Sequence, residues 1–410
     1  MHACRLGLTS LFVTACFVGG AAGAATAPTY EELLRASANA PTLVESAAES
    51  DAAEARFRQA RAWRNPELSL QAENFAGERP YDGFGTAETT LSVSQTFELG
   101  GKRQARVLAA RSTLLSVDAR QTATKADFAA RLAIAYAEAE ASVEKVRHAE
   151  ELHTAAQSDA SSARLLVKAG KEAALRGVRA EADADAALAD LEEARAKRDA
   201  AFARLTALAG SPAPYDALGA SLLGRSPSRL PEGAHPINPS VIAAEALRNA
   251  AAARVRVERT EASPDVTVSA GVRRFAGDDA TALVAGVSVP LPIFDRNRGA
   301  TQAAQAELRA ADARLQQARL DAEAERLTGL SKMRSAAARV QAAQGGEAAA
   351  SEAYRLARLG YEAGRIALLE LTSARRALAE ARTRTVDARL DQVRAEAEAA
   401  RAAGRTPFGA

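Results

Sequence analysis

The side chains that most often bind metals or act in catalysis are few in this chain, and they do not cluster. The histidines and cysteines are His2, His148, His153, His235, Cys4 and Cys16. His148 and His153 are five positions apart, about 140° around a helix, so they do not share a face. Met1 and Met333 are the only methionines, which leaves no thioether path for Cu(I). We find no metal-ligand spacing, no Ser/His/Asp set and no phosphate-binding glycine loop, so the sequence predicts neither an enzyme nor a bound cofactor.

The composition favours long helices over an aromatic core. Alanine makes up about a quarter of the chain and aromatic residues only 4%. The 53 basic and 51 acidic residues are interleaved, and the net charge of +2 provides no electrostatic basis for binding nucleic acid. Beyond the N-terminus no apolar run reaches 18 residues, so we expect no membrane-spanning helix in the mature protein.

The N-terminus has the features of a secretory signal peptide. Arg5 supplies positive charge, Leu6 to Gly20 are largely apolar, and the small-residue motifs Ala22-Gly23-Ala24 and Ala25-Thr26-Ala27 offer cleavage sites. We place the signal at residues 1–25. A mature protein without this segment has no cysteine and therefore no disulfide.

A second interpretation of the N-terminus involves a lipid anchor. Val13-Thr14-Ala15-Cys16 resembles a bacterial lipobox, which would leave Cys16 acylated at the new N-terminus. Phe17 and Val18 continue the apolar stretch, which favours ordinary cleavage.

The chain contains an internal repeat. Val93-Ser94 and Val287-Ser288 are 194 positions apart (287 − 93), and the same offset relates Gly170 to Gly364 and Gly210 to Gly404. We therefore predict a first repeat over 26–210, a Pro- and Gly-rich connector over 211–237, and a second repeat over 238–404. For residues 405–410 we expect a flexible tail.

Each repeat contains two runs with the alternation of a β-strand. The apolar positions are Leu68, Leu70 and Ala72; Leu91, Val93, Phe97 and Leu99; Val266, Val268, Ala270 and Val272; and Leu283, Ala285, Val287, Val289 and Leu291. Runs of about 9–11 residues can cross a bilayer as tilted strands, although soluble hairpins show the same pattern. Strands in lipid must close into a barrel, and bacterial barrels start at about eight strands. A chain with two hairpins contributes four, so a trimer would give twelve and leave room for a lumen.

Long helices follow each pair of strands. Lys102 to Ala169 has neither glycine nor proline, and Arg298 to Tyr361 has a similar composition of strong helix formers. Shorter helices are predicted before the strands, over Tyr30 to Trp63 and Pro239 to Glu261. The sequence thus predicts a mostly α protein with a small β part, built as a tandem repeat.

With this order of elements, the chain resembles the TolC-like outer-membrane efflux protein family and, within it, the CzcC-type channels of heavy-metal exporters. The resemblance covers the whole mature chain. The segments that carry it are Asn65–Leu70, Glu73–Phe75, Thr90–Gln95, Phe97–Arg103 and Val287–Asn297.

The resemblance implies a homotrimer without enzymatic activity in the outer membrane of a Gram-negative bacterium. Twelve strands would cross that membrane, and a long helical coiled-coil barrel would extend into the periplasm. There it would meet a periplasmic adaptor (membrane fusion protein) joined to an inner-membrane RND pump. The implied cargo is divalent heavy-metal cations of the Co/Zn/Cd class. Two alternatives stay open: a drug or organic-solvent channel of the same family, and a periplasmic coiled-coil adaptor or scaffold.

The resemblance also assigns roles to individual residues. The adaptor would contact the two helix reversals, at Gly170, Lys171 and Leu175 and at Gly364, Arg365 and Leu368, although a plain helix–helix turn also explains the glycines. Glu370 matches an acidic gate position, where three copies would form a cation-attracting ring, or else it is an ordinary solvated charge. Ser373 stands where a second acid often occurs, which would weaken that preference.

The last group lies where strands meet helices. Gly100 and Gly101, and Pro290 and Pro292, would turn the chain from the membrane barrel into the long helices. Lys102, Arg103, Arg296 and Arg298 would lie at the inner membrane–water boundary, where cations suit lipid headgroups.

Overall fold

The computed structural model describes residues 25–81, 83–225, 238–363 and 365–408. Cys16 lies outside the described residues, as do Gly364 and residues 226–237 of the connector. Among the helices of the described ranges, none is long and apolar enough to cross a membrane.

Helices dominate the described chain. Their bounds are α1 Tyr30–Ala36, α2 Pro41–Ala60, α3 Lys102–Lys168, α4 Ala174–Ala209, α5 Pro239–Thr260, α6 Arg298–Glu362 and α7 Leu368–Ala402. With 67 and 65 residues, α3 and α6 each extend about 100 Å. These two helices begin and end within two residues of the predicted bounds.

The first predicted helix is wrong in one respect, because Tyr30 to Trp63 is not continuous. A 3-10 turn at Ser37–Asn39 ends α1, and Ala40 is extended (ψ 136°) before Pro41 begins α2. The proline ring disfavours helical geometry at the residue before it, so Pro41 was the signal for this break.

The predicted strands form one antiparallel sheet. The strands are β2 Glu67–Glu73, β3 Glu88–Phe97, β5 Val266–Phe275 and β6 Ala280–Ser288, in the spatial order β2-β3-β5-β6. β3 and β5 join the two repeats, and β2 and β6 are the edges. β6 stops before Pro290 and Pro292, which have no N–H for a ladder.

The register confirms the predicted alternation of faces. Leu70, Leu91, Val272 and Leu283 lie side by side on one face of the sheet. The opposite face carries Ser69 and Ser92, whose hydroxyl oxygens are 2.8 Å apart. The apolar face is uncovered in the single chain, since Leu70 is 70% exposed and Leu283 87%.

The helices form a layer that continues the sheet. α2 and α4 pack along α3, α5 and α7 pack along α6, and the repeats meet where α3 contacts α5 and α7. A Cβ added to Gly210, just after α4, would lie 3.9 Å from Cα of Ala40, which precedes α2. A Cβ added to Gly404, just after α7, would lie 2.9 Å from Cγ of Pro239 at the start of α5. The end of α4 therefore lies against the start of α2, and the end of α7 lies against the start of α5.

Alanine permits this close packing. Ala133, Ala137 and Ala139 on α3 are fully buried, together with Leu132 and Tyr136. Small side chains let the helix axes approach, and the few large residues fill the remaining space.

A small two-stranded sheet was not predicted. β1 (Ala25–Ala27) pairs in parallel with β4 (Tyr215–Leu218), which lies in the segment interpreted as a connector. Three- and four-residue strands are too short for alternation to be visible in the sequence.

The C-terminal tail also differs from the prediction, since Pro407 and Phe408 are packed against the rest of the chain. The ring of Phe408 lies edge-on to that of Tyr30, with centroids 6.1 Å apart, and Pro407 is fully buried. Burial of apolar surface against α1 explains why this segment is ordered.

Candidate functional site

The two helix reversals are closed by the same kind of backbone hydrogen bond. After α3, Gly170 has φ +68°, and the Lys171 N–H donates to the Leu166 carbonyl at 2.9 Å. After α6, the Arg365 N–H donates to the Gly360 carbonyl at 2.8 Å. Both bonds span five residues, the pattern of a Schellman helix end. Lys171 and Arg365 are therefore equivalent, and both are exposed.

Each reversal presents an exposed leucine. Leu175 is 76% exposed in the first turn of α4, whereas Leu368, the residue proposed from the sequence, is half-buried. α4 starts at Ala174 and α7 at Leu368, so the structural equivalent of Leu175 is Leu369. Leu369 is 62% exposed. The constant repeat offset of 194 (369 − 175) was a signal for this residue.

Glu370 and Ser373 lie next to each other on the exposed face of α7. They are three positions apart, so their side chains share one face, while Leu371 between them is buried. Glu370 has no ion-pair partner in the part of the chain that the structure describes. Its carboxylate is therefore exposed at this end of the molecule and is not neutralised by a neighbouring charge of the described chain.

A ladder of ion pairs that sequence reasoning missed connects α3 to α7. The pairs are Asp159–Arg375 at 2.5 Å, Glu151–Arg382 at 2.5 Å, Lys145–Asp387 at 2.6 Å and Glu138–Arg394 at 2.8 Å. Most are partly exposed, and such pairs add little stability. We interpret them as setting the register of the two antiparallel helices. The sequence signal for this ladder was the spacing of the charges. Charged residues recur about every seven positions on α3 and on α7, and opposite charges meet when the two helices are antiparallel.

His148 is buried within this ladder. Burial lowers its pKa below the usual value, and the charges of Arg147 and Arg382 lower it further against the opposing effect of Glu144 and Glu151. Nη2 of Arg147 lies 3.2 Å from Nε2 of His148. Because a guanidinium only donates, Nε2 must accept, and the imidazole is neutral.

The neutral His148 predicts acid destabilisation. Below about pH 6.5 the unfolded chain binds a proton at His148 that the folded chain does not bind. The stability that the neutral His148 contributes is therefore complete above that pH and is lost as the pH falls. We expect His148→Gln to reduce the drop in melting temperature between about pH 7.5 and about pH 5.5, measured in detergent. An equal drop in variant and wild type would contradict this role.

The junction between sheet and helices corrects one expectation. Lys102 does not face lipid headgroups: its ammonium lies 2.9 Å from Oδ1 of Asp265, and its side chain is only 7% exposed. Arg103 donates to the Arg61 carbonyl and lies over the ring of Trp63, 4.9 Å from its centroid. Lys102 therefore ties α3 to the start of β5.

The two glycines of the junction are in the left-handed region of the backbone. Gly100 has φ +67° and Gly101 φ +79°, a region costly for residues with a Cβ. Pro290 and Pro292 lie in the exposed segment between β6 and α6. In the described ranges, no three His, Cys, Asp or Glu residues are grouped so as to hold a metal ion.

Comparisons with known proteins agree with this architecture. The outer membrane efflux protein family matches residues 33–211 and 230–405. The nickel-cobalt-cadmium resistance protein NccC of Alcaligenes xylosoxydans xylosoxydans is 43% identical over 294 residues, 71% of this chain and 67% of the relative. The nickel and cobalt resistance protein CnrC of Cupriavidus metallidurans is 43% identical over 295 residues, 70% of this chain and 69% of the relative.

The cobalt-zinc-cadmium resistance protein CzcC of the same species is 33% identical over 258 residues, 62% of this chain and 60% of the relative. Among solved structures, CusC, described as forming a transmembrane channel, superimposes with a TM-score of 0.78 at 19% identity and covers 92% of each chain. The outer membrane protein VceC of Vibrio cholerae has a TM-score of 0.72 at 22% identity, covering 92% of this chain and 96% of VceC. The resemblance to CzcC-type proteins is confirmed, and the chain belongs to the outer membrane efflux protein family.

Proposed function

We propose that this protein is the outer-membrane exit channel of a tripartite system that exports divalent heavy-metal cations. The observation that supports this choice of cargo is the 43% identity to nickel, cobalt and cadmium resistance proteins over about 70% of the chain. The protein would act as a passive duct, since energy would come from an inner-membrane RND pump reached through a periplasmic adaptor.

The sheet supports a trimeric wall. One chain supplies four strands with two unpaired edges, β2 and β6, and an uncovered apolar face. In lipid, unpaired N–H and C=O groups are too costly to leave open, so the edges must pair with other copies. Three copies give twelve strands, and a ring with identical contacts closes without free edges. The helical layer would continue the wall into the periplasm.

Growth on metal salts tests the proposed cargo. We expect deletion of the gene to sensitise cells to nickel, cobalt, zinc or cadmium, and the intact gene to restore resistance. Sensitivity only to drugs or organic solvents would instead favour the alternative cargo of this family.

The gate proposal concerns Glu370. Three exposed carboxylates at the narrow end would attract cations and repel anions. We expect Glu370→Gln to move the reversal potential in a KCl gradient toward zero, measured in planar bilayers. Glu380→Gln is the matched control, since Glu380 lies on the same helix but pairs with Arg384 at 3.1 Å. If both variants kept the wild-type potential, Glu370 would not form a selectivity ring.

A further inference from the structure

The two junctions between strands and long helices share one backbone feature, a left-handed residue directly before the helix. Lys102 begins α3 after the left-handed Gly101, and Arg298 begins α6 after the left-handed Asn297, with φ +79° and +55°. On the other side of the hairpins, Asp265 follows Pro264 and Glu67 follows Pro66. Counted from the helix starts, Lys102 corresponds to Arg298, two positions beyond the repeat offset of 194 (298 − 102 = 196). Counted from the prolines, Asp265 corresponds to Glu67.

Within the chain, one pair of these residues is joined. Lys102 lies 2.9 Å from Asp265, and both side chains are largely buried, at 7% and 15% exposure. They meet because β3 and β5 are neighbours, with Phe97 at the end of β3 opposite Val266 at the start of β5. The contact links the end of the first hairpin to the start of the second.

The other pair is separated. Glu67 and Arg298 are exposed, and neither has an ion-pair partner among the residues that the structure describes. Glu67 begins the edge strand β2, and Arg298 follows the opposite edge strand β6. Three strand spacings, about 14 Å, lie between these edges, and the two side chains form no ion pair with each other within the described chain.

We infer that Arg298 pairs with Glu67 of the partner subunit, and that this ion pair repeats the Lys102–Asp265 contact between copies. This inference rests on the proposed trimer. β6 runs antiparallel to β2, as β3 does to β5, so edge pairing repeats the internal geometry. Leu68 and Leu70 on β2 are 68% and 70% exposed, whereas Leu91 on the inner strand β3 is 49% exposed. The edges therefore lack the neighbour that the inner strands have.

Charge reversal tests the ion pair in the full-length protein. We expect Arg298→Glu or Glu67→Arg to lower the trimer association constant about tenfold, measured by native mass spectrometry on dilution in detergent. The double variant, which exchanges the charges, should recover most of the loss. Arg120→Glu is the matched control, because Arg120 is exposed on α3, which has neighbours of its own chain on both sides.

Cross-linking distinguishes this contact from the trimer itself. With Glu67→Cys and Arg298→Cys in one chain, a short bismaleimide should give covalent dimers and trimers, while each single variant should give none. Trimers that neither cross-link nor respond to charge reversal would overturn the ion pair and leave the channel proposal intact. A wild-type protein that stays monomeric in detergent would overturn both.

Discussion

Replacing Gly100 with alanine is expected to destabilise the folded chain by about 2–5 kcal/mol. A left-handed conformation costs a residue with a Cβ about 1–2 kcal/mol, and overpacking adds about 1–3 kcal/mol. A Cβ on Gly100 would overlap Oγ of Ser263 and lie 2.5 Å from the Cβ of that serine. Rotation of the hydroxyl relieves only the first contact, so the backbone must move. Thermal unfolding in detergent measures the loss.

Gly101→Ala is the control for this prediction. Gly101 has nearly the same backbone angle, φ +79° against +67°, but nothing lies within 4 Å of the position that its Cβ would take. Gly101→Ala should therefore reduce the free energy of unfolding only by the cost of the left-handed conformation, about 1–2 kcal/mol. Equal melting temperatures for the two variants would show that the contact with Ser263 does not matter.

Loss of metal resistance is the expected result of replacing the exposed leucines of both reversals with aspartate, in the double variant Leu175→Asp and Leu369→Asp. Apolar side chains that are 76% and 62% exposed contribute little to the fold of one chain, but their burial would stabilise contact with an adaptor. Charged replacements would have to be desolvated there. Growth on nickel and cobalt salts measures resistance, and co-purification measures adaptor binding.

Leu115→Asp controls for a general effect of the added charge. Leu115 is 54% exposed on α3, far along the helix from the reversal. It should leave resistance and membrane levels unchanged. Full resistance in the double variant, with normal amounts of protein, would show that these leucines do not carry the adaptor contact.

Local sequence patterns were sufficient to predict the long helices, the four strands of the main sheet and the family. Glycine-free runs of strong helix formers predicted α3, and period-two alternation predicted the faces of β2, β3, β5 and β6, because both depend on neighbours in the chain. The repeat offset identified Lys171 and Arg365 as equivalent, and the hydrogen bonds of the two reversals agree.

Contacts between distant residues were not predictable in this way. The burial of Lys102 against Asp265 depends on β3 lying beside β5, which brings together residues 163 positions apart (265 − 102). The packing of Phe408 on Tyr30 and the pairing of β1 with β4 also join distant segments. A short segment carries no periodicity of its own, so its structure is decided by what it packs against.

The sequence by itself determined the long helices, the four strands of the main sheet and the apolar face of each, and that the chain is a tandem repeat of an efflux protein. Only the tertiary structure decided which charges are paired. It joined Lys102 to Asp265 and left Arg298 and Glu67 exposed on opposite edges, because strand order, which local sequence does not encode, sets which ends of the hairpins meet.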